Sequence, residues 1–394
     1  MEFDPFAPEF FDDPYEIYRW LREEQPVYHN ERMGFWALSR FDDVVAAHRD
    51  FETFSSAFGV TLEQLGEHKR ANFGSIITID PPEHERMRKL VSRAFTPRAV
   101  AAMEPMIRRI QCEFLDSLMD RESFDILGEF AAPFPCEVIS TILGVPEADR
   151  EGVRHRTDRL LHRDAGNPNT TPDGMQAGFE SGLYFYELAR EKRAKPDDSM
   201  ISLLCTVEVE GDDGTTHRLN DEEIASFSLL IGAAGSETVT KLVGNAVVEF
   251  YRHPEQWRLA TSGEADLSSA VEEVLRYLPP SQYQGRMSLA DTEFEGGKIP
   301  AGNPVLLITG AATRDPRAYS DPDRFDITRK PLLGIGLGHG IHACLGAALA
   351  RIESRIAIDE LSKRWPVYEV EESGLERVQM ANVAGYSKIP MKVR

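Results

Sequence analysis

Over most of the chain apolar residues recur every three or four positions, the spacing of helices with one buried face. The pattern predicts helices over residues 13–24, from 42 onward, over 81–95, 99–120, 130–143, 147–162 and 174–194, and then a long one over 220–252. Two more are expected over 269–276 and 345–361. Helix starts carry suitable chemistry: prolines and acids open 81–95, and Asn220 with Glu223 makes a capping box for the longest helix. Short β-rich runs lie between. Residues 26–29 and 34–39 predict a hairpin, while 283–288, 292–295 and 303–308, divided by Gly296, Gly297 and Gly302, predict a small sheet. Strands are also expected over 367–370 and 379–385, and another hairpin around the acidic turn 210–214. Residues 54–79, with Gly59, Gly66 and Gly74, predict a long loop holding a short helix, and 163–174 a polar hinge suited to a lid. The class is mainly α with small β-sheets.

Composition narrows the setting. No low-complexity linker divides the chain, so residues 1–394 are expected to form a single domain, a helix-rich lobe with a smaller β-containing N-terminal region. Acidic residues number 65 against 44 basic, a formal charge of −21, which argues against nucleic acid or an anionic membrane as a partner. No apolar run approaches the roughly 20 residues that span a bilayer, and the first residues do not resemble a signal peptide. A soluble, cytoplasmic protein is the expectation. Cys112, Cys136, Cys205 and Cys344 are too scattered for a disulfide framework, and the first two stand in apolar-periodic surroundings as inert core residues.

Four places break the pattern or carry chemistry. Cys344 follows a glycine-rich run, Gly334, Gly336, Gly338 and Gly340, and stands where that loop enters a helix. Unpaired N–H groups of a first helical turn favour a thiolate over a thiol, and nearby glycines admit a large flat partner. The residue reads as a haem-iron ligand, a nucleophile or an inert buried thiol; zinc is disfavoured because no second Cys/His pair accompanies His339 and His342. In the long helix, Ala234-Gly-Ser-Glu237-Thr238 puts an acid and an alcohol inside a buried segment, marking either a functional site or a kink with a solvated Glu237. His84 and Arg88 share a helix face, either exposed or turned towards an anion. Glu273 and Arg276 are three apart, an ordinary helical ion pair by spacing alone.

Taken together, these signals and their order resemble the soluble bacterial members of the cytochrome P450 family, over nearly the whole chain from Asp13 to the end. Residues 336–350 look like its haem-binding loop. The resemblance implies a triangular helical prism around a buried haem b (iron protoporphyrin IX). It implies that Cys344 is the proximal iron ligand, with Leu337, Gly338 and Gly346 around the haem, and that His84, Arg88, Arg286 and His342 bind the propionates. Glu273, Arg276 and Arg324 are implied as a structural network, and Glu237 with Thr238 as the acid–alcohol pair that relays protons for O₂ activation. Ile231, Ala234, Gln282, Tyr283 and Val383 are expected at the substrate pocket, with loops 58–77, 160–185 and 380–384. The implied activity is a monooxygenase acting on a hydrophobic small molecule, as a monomer supplied with electrons by a separate ferredoxin and ferredoxin reductase. Arg86, Lys89 and Arg93 are docking candidates, or simply a solvated face. A peroxide-driven enzyme and a non-catalytic haem sensor or carrier are the rival readings. Two positions depart from the family pattern: Leu337 stands where phenylalanine is usual, expected to alter the packing around the sulfur and so the iron's reduction potential, and Val239 where a second hydroxyl is frequent.

Overall fold

The computed structural model describes residues 1–70, 75–164, 167, 169–210, 214–330, 333–378, 380 and 382–393. Gly74, the turn residues 211–213, part of the 163–174 hinge, and Gln379 and Ala381 of an expected strand lie outside the described residues.

The helix Asp221–Arg252 is the axis of the molecule. Its start is the expected capping box: the Asn220 side chain accepts the Glu223 N–H, and the Glu223 carboxylate accepts the Asn220 N–H. From 239 to 250 every residue is buried, so this half is surrounded on all sides by the largest apolar cluster. Helices Pro172–Ala194, Pro133–Leu143 and Ala347–Arg364 pack against it. Gly232 and Gly235 each cost about 1 kcal/mol relative to alanine, yet the helix runs through them without a break. Tertiary packing therefore outweighs local propensity here.

Beside this helical body stands a five-stranded sheet in the order Val27–Asn30, Phe35–Leu38, Pro304–Leu307, Gln284–Ser288 and Phe54–Ser55. Only Pro304–Leu307 with Phe35–Leu38 is parallel. The sheet delivers Arg286, paired in register with Val305, into the interior. Smaller sheets follow the predicted runs: Thr292–Phe294 pairs with Gly297–Ile299, Val209–Glu210 with Thr216–His217, and Tyr368–Val370 with Pro390–Val393.

Two expectations change. The predicted helix 130–143 begins as a π-turn, Leu127–Ala131, and restarts as Pro133–Leu143, because Pro133 has no N–H to continue the ladder and suits a first helical turn. The described residues of the strand expected over 379–385 form no strand: Val383 makes a single bridge to Ser281, Gly385 has φ +152°, and the strand is Tyr386–Lys388, paired with Glu376–Arg377. Among the described residues no helix is long and apolar enough to cross a membrane.

Candidate active site

A mostly apolar cavity of about 210 Å³ separates the central helix from the loop carrying Cys344. One wall is Ile231, Ala234, Gly235, Thr238 and Val239; the opposite wall is residues 342–346 with Leu349, Ala350 and Glu353. Ile76 and Ile77 of the long loop close a third side next to His84 and Arg88, and Phe95, Ile139, Phe227 and Leu230 complete it.

The Cys344 loop is held by its own backbone. Gly338 donates to the Ile335 carbonyl at 2.9 Å, Ala343 to Gly340 at 3.1 Å and Cys344 to Leu337 at 2.8 Å. Gly340 is required twice over: its φ is +69°, and a Cβ there would stand 2.1 Å from the His48 carbonyl oxygen. Gly346 differs, because nothing lies within 4 Å of the space its Cβ would fill, and that space is the cavity. Cys344 keeps an exposed surface, but it faces this enclosure and not bulk solvent. Burial accordingly pushes the thiol up, against the pull of the Gly346 N–H and the charges of Arg88 and Arg351. The helix-end effect expected from sequence is present but outweighed by burial.

The rim beside it is rich in donors without acceptors. The rings of His84 and His342 lie 4.4 Å apart, and both nitrogens of His84 and Nε2 of His342 have no hydrogen-bond partner among the described residues. Burial and the neighbouring cations Arg286 and Arg88 push His342 down to about 2; burial likewise lowers His84 and Arg88. Arg286 is buried, is pushed down to about 10, and spends Nη1 on the carbonyl of adjacent Gly285. A flat, apolar ligand with a cationic centre and carboxylates on its edge fits this arrangement: Cys344 faces its centre, Gly346 clears its plane, and the orphaned nitrogens meet its charges.

On the opposite wall the Thr238 hydroxyl donates to the Ala234 carbonyl at 2.7 Å. Glu237 is not on the cavity wall. It forms an ion pair with Lys241 one turn further on, Oε1 to Nζ 2.8 Å, and the lysine side chain is 5% exposed. Sequence reasoning did not single out Lys241, although a lysine inside the most apolar stretch of the chain is itself a signal. Glu353 was missed too: its carboxyl is fully buried at the cavity and pushed well up by that burial.

The expected ion network forms with one member exchanged. Arg276 is bidentate to Glu273, both contacts 2.8 Å, and donates to the carbonyls of Thr313, Pro322 and Arg324. Arg324 contributes only that carbonyl: its side chain is 63% exposed and lies 3.9 Å from Asp326. Arg329 takes the place, with Nε 3.2 Å from Glu273 Oε2. Three pocket assignments also move. Gln282 is fully buried, accepting the Tyr18 hydroxyl at 2.8 Å and donating to Pro279 at 2.6 Å; Tyr283 is buried in the N-terminal cluster; Val383 is held in its bridge to Ser281. None of the three is among the described residues of the cavity wall, whereas Ile231 and Ala234 are. Leu337 packs against the main cluster behind the loop. Arg86 is paired with Glu223, so of the three docking candidates Lys89 and Arg93 remain exposed.

Known proteins share this arrangement. The sequence model of the cytochrome P450 family matches residues 267–380. A putative cytochrome P450 123 of Mycobacterium tuberculosis is 40% identical over 99% of this chain and 96% of its own length. A methyl-branched lipid omega-hydroxylase of the same species is 37% identical over 84% of this chain and 78% of its own. A cytochrome P450 of Bacillus megaterium, solved with corticosterone, superposes with a TM-score of 0.86 at 34% identity, covering 98% of this chain and all of its own. The chain belongs to the cytochrome P450 family: it is a haem-thiolate monooxygenase that binds protoporphyrin IX and depends on O₂ and a redox partner.

Proposed function

We propose that residues 1–394 form one P450 domain that hydroxylates a lipid-like small molecule, with electrons from a separate ferredoxin and ferredoxin reductase, as a cytoplasmic monomer. The observation that carries this reading is Cys344 facing an apolar cavity whose far wall presents Thr238. Cys344 would hold the iron; Leu337, Gly338 and Gly346 shape its loop; His84, Arg88, Arg286 and His342 would take the propionates. Bound haem supplies the reductive activation of O₂ and the transfer of one oxygen atom. Thr238 orients water on the distal wall through its hydroxyl, and Glu237 supplies that water with protons from the far side of the helix. Ile231, Ala234 and the 76–77 segment exclude bulk water and hold the substrate by apolar contact. The lipid omega-hydroxylase relative and the corticosterone complex of the Bacillus neighbour favour large lipophilic substrates. Exposed Lys89 and Arg93 suit an acidic ferredoxin.

The test has three arms. Reduced protein treated with carbon monoxide should absorb near the wavelength that names the family. Fatty acids, steroids and macrolides should then be screened by shift of the ferric spectrum. Product should form with NADH, ferredoxin and reductase. Product with peroxide alone would instead favour the peroxide-driven reading, and tight ligand binding without product by either route a sensor or carrier.

A further inference from the structure

His48 is unexplained by anything above. The residue is 4% exposed; Gln284 makes a weak side-chain contact with its ring, and beyond that neither nitrogen has a hydrogen-bond partner among the described residues. A buried ring so poorly satisfied calls for an explanation, and an ordered water or a bound ligand is one that would complete it. His48 stands in the last turn of the helix Phe41–Arg49, and its carbonyl abuts Gly340, so the helix end is pressed against the loop that carries His339 and His342.

Every element packed around it brings donors. The strand Gln284–Ser288 contributes Arg286, and Gln284, whose amide engages Ser281 and Thr309 as well as making a weak contact with the ring. The loop contributes His342, and His339, which takes the Nε of Arg49 at 2.9 Å. His84 and Arg88 stand behind His342. The carboxylate acting on Arg286 is Asp80, and its oxygens are occupied by the Ser55 hydroxyl and the Ser56 N–H. Among these described residues the full charges are cationic except Asp80, which is already engaged, so the pocket lacks a free anion.

We propose that His48 is a fifth group of the propionate-binding edge, donating a ring N–H to the carboxylate held by Arg286 and His342. The inference rests on the reading of those two residues as propionate ligands. In the haem-free chain burial first, then the charges of Arg286 and His339, push His48 down to about 3, and a carboxylate beside the ring would pull it back up. In either charge state one ring N–H is available to donate to that carboxylate.

Two readouts test this on the holoprotein: the rate of haem transfer to apomyoglobin, and the propionate bending bands in the resonance Raman spectrum. His48→Leu should lose haem on the order of tenfold faster and shift a propionate band. His48→Gln, which keeps a donor, should stay within about threefold of wild type while still shifting the band. Both should keep the reduced carbon monoxide spectrum of thiolate ligation. Wild-type haem loss with unmoved bands in His48→Leu overturns the proposal, provided Arg286→Leu and His342→Leu do alter them. If those two controls are also silent, the propionate reading itself falls and the proposal with it. Should His48→Leu take up no haem, His48→Gln decides: a shifted band supports the role, and an unmoved band removes it.

Discussion

The ammonium of Lys241 and the carboxylate of Glu237 form an ion pair at 2.8 Å on one face of the central helix, turned away from the cavity. The lysine stem is fixed by the C-terminal segment: a Cβ on Gly385 would come within 3.1 Å of its Cβ, Cγ and Cδ, so only glycine lets it pass. Asp158, on helix Glu147–Leu161, is raised by burial and by repulsion from Glu237, and lowered by Arg154 and Lys241. The acid proposed to feed protons is thus held by a cation whose removal unbalances the cluster.

Lys241→Met should slow product formation about tenfold and raise the peroxide released per NADH, with a larger solvent isotope effect. Glu237→Gln should go further, roughly a hundredfold. Lys241→Arg should recover most of the loss. Unchanged coupling and isotope effect in Lys241→Met would remove the lysine from proton delivery.

Arg329, not Arg324, carries the second charge on Glu273. Removing it leaves a buried carboxylate with one cation fewer, so Arg329→Ala should cost about 3 kcal/mol and weaken haem retention. Arg324→Ala should stay within about 0.5 kcal/mol, since its exposed guanidinium does little. Chemical denaturation of both variants checks the contrast, and equal losses would contradict it.

Two glycines of the cysteine loop should fail in different ways. Gly340→Ala drives a methyl into the His48 carbonyl at a left-handed φ, so the fold itself should suffer, with a clear drop in melting temperature even without haem. Gly346→Ala meets no protein atom. Its haem-free form should melt like wild type while haem affinity falls several-fold, because the methyl occupies space the macrocycle needs. Haem titration and thermal melts of the two variants separate the cases.

Much of this was legible in the sequence because periodicity and capping are local. The central helix, its Asn220 cap, the hairpin strands and the Cys344 loop follow from spacing. The family resemblance supplied the residues that converge on the cavity, since His84, Thr238 and His342 are far apart in the chain. What failed was side-chain direction. Gln282 and Tyr283 stand in a predicted pocket segment, but the adjacent strand Gln284–Ser288 sends them into the N-terminal cluster. Arg324 and Arg329 are five apart in an irregular meander, where no period says which one turns inward. Lys241 could have been read from its place in the most apolar stretch, but His48 was hidden because a buried histidine is visible only once its partners, or their absence, are known.

The haem-free protein should also report on His48 through pH. Its folded value is pushed down to about 3, while the unfolded ring titrates near 6.5. Below 6.5 the unfolded chain therefore binds a proton that the folded chain refuses. The ring's stabilising contribution is fully present above that pH and is lost as pH falls towards 3, by up to about 1.4 kcal/mol per pH unit. Glu353, raised by burial, acts oppositely, losing stability as pH rises through its unfolded range. The difference between wild type and His48→Gln isolates the histidine. Denaturation midpoints measured from pH 7 to pH 4.5 should fall more steeply for wild type than for the variant, and parallel curves would show that His48 is protonated in the folded chain.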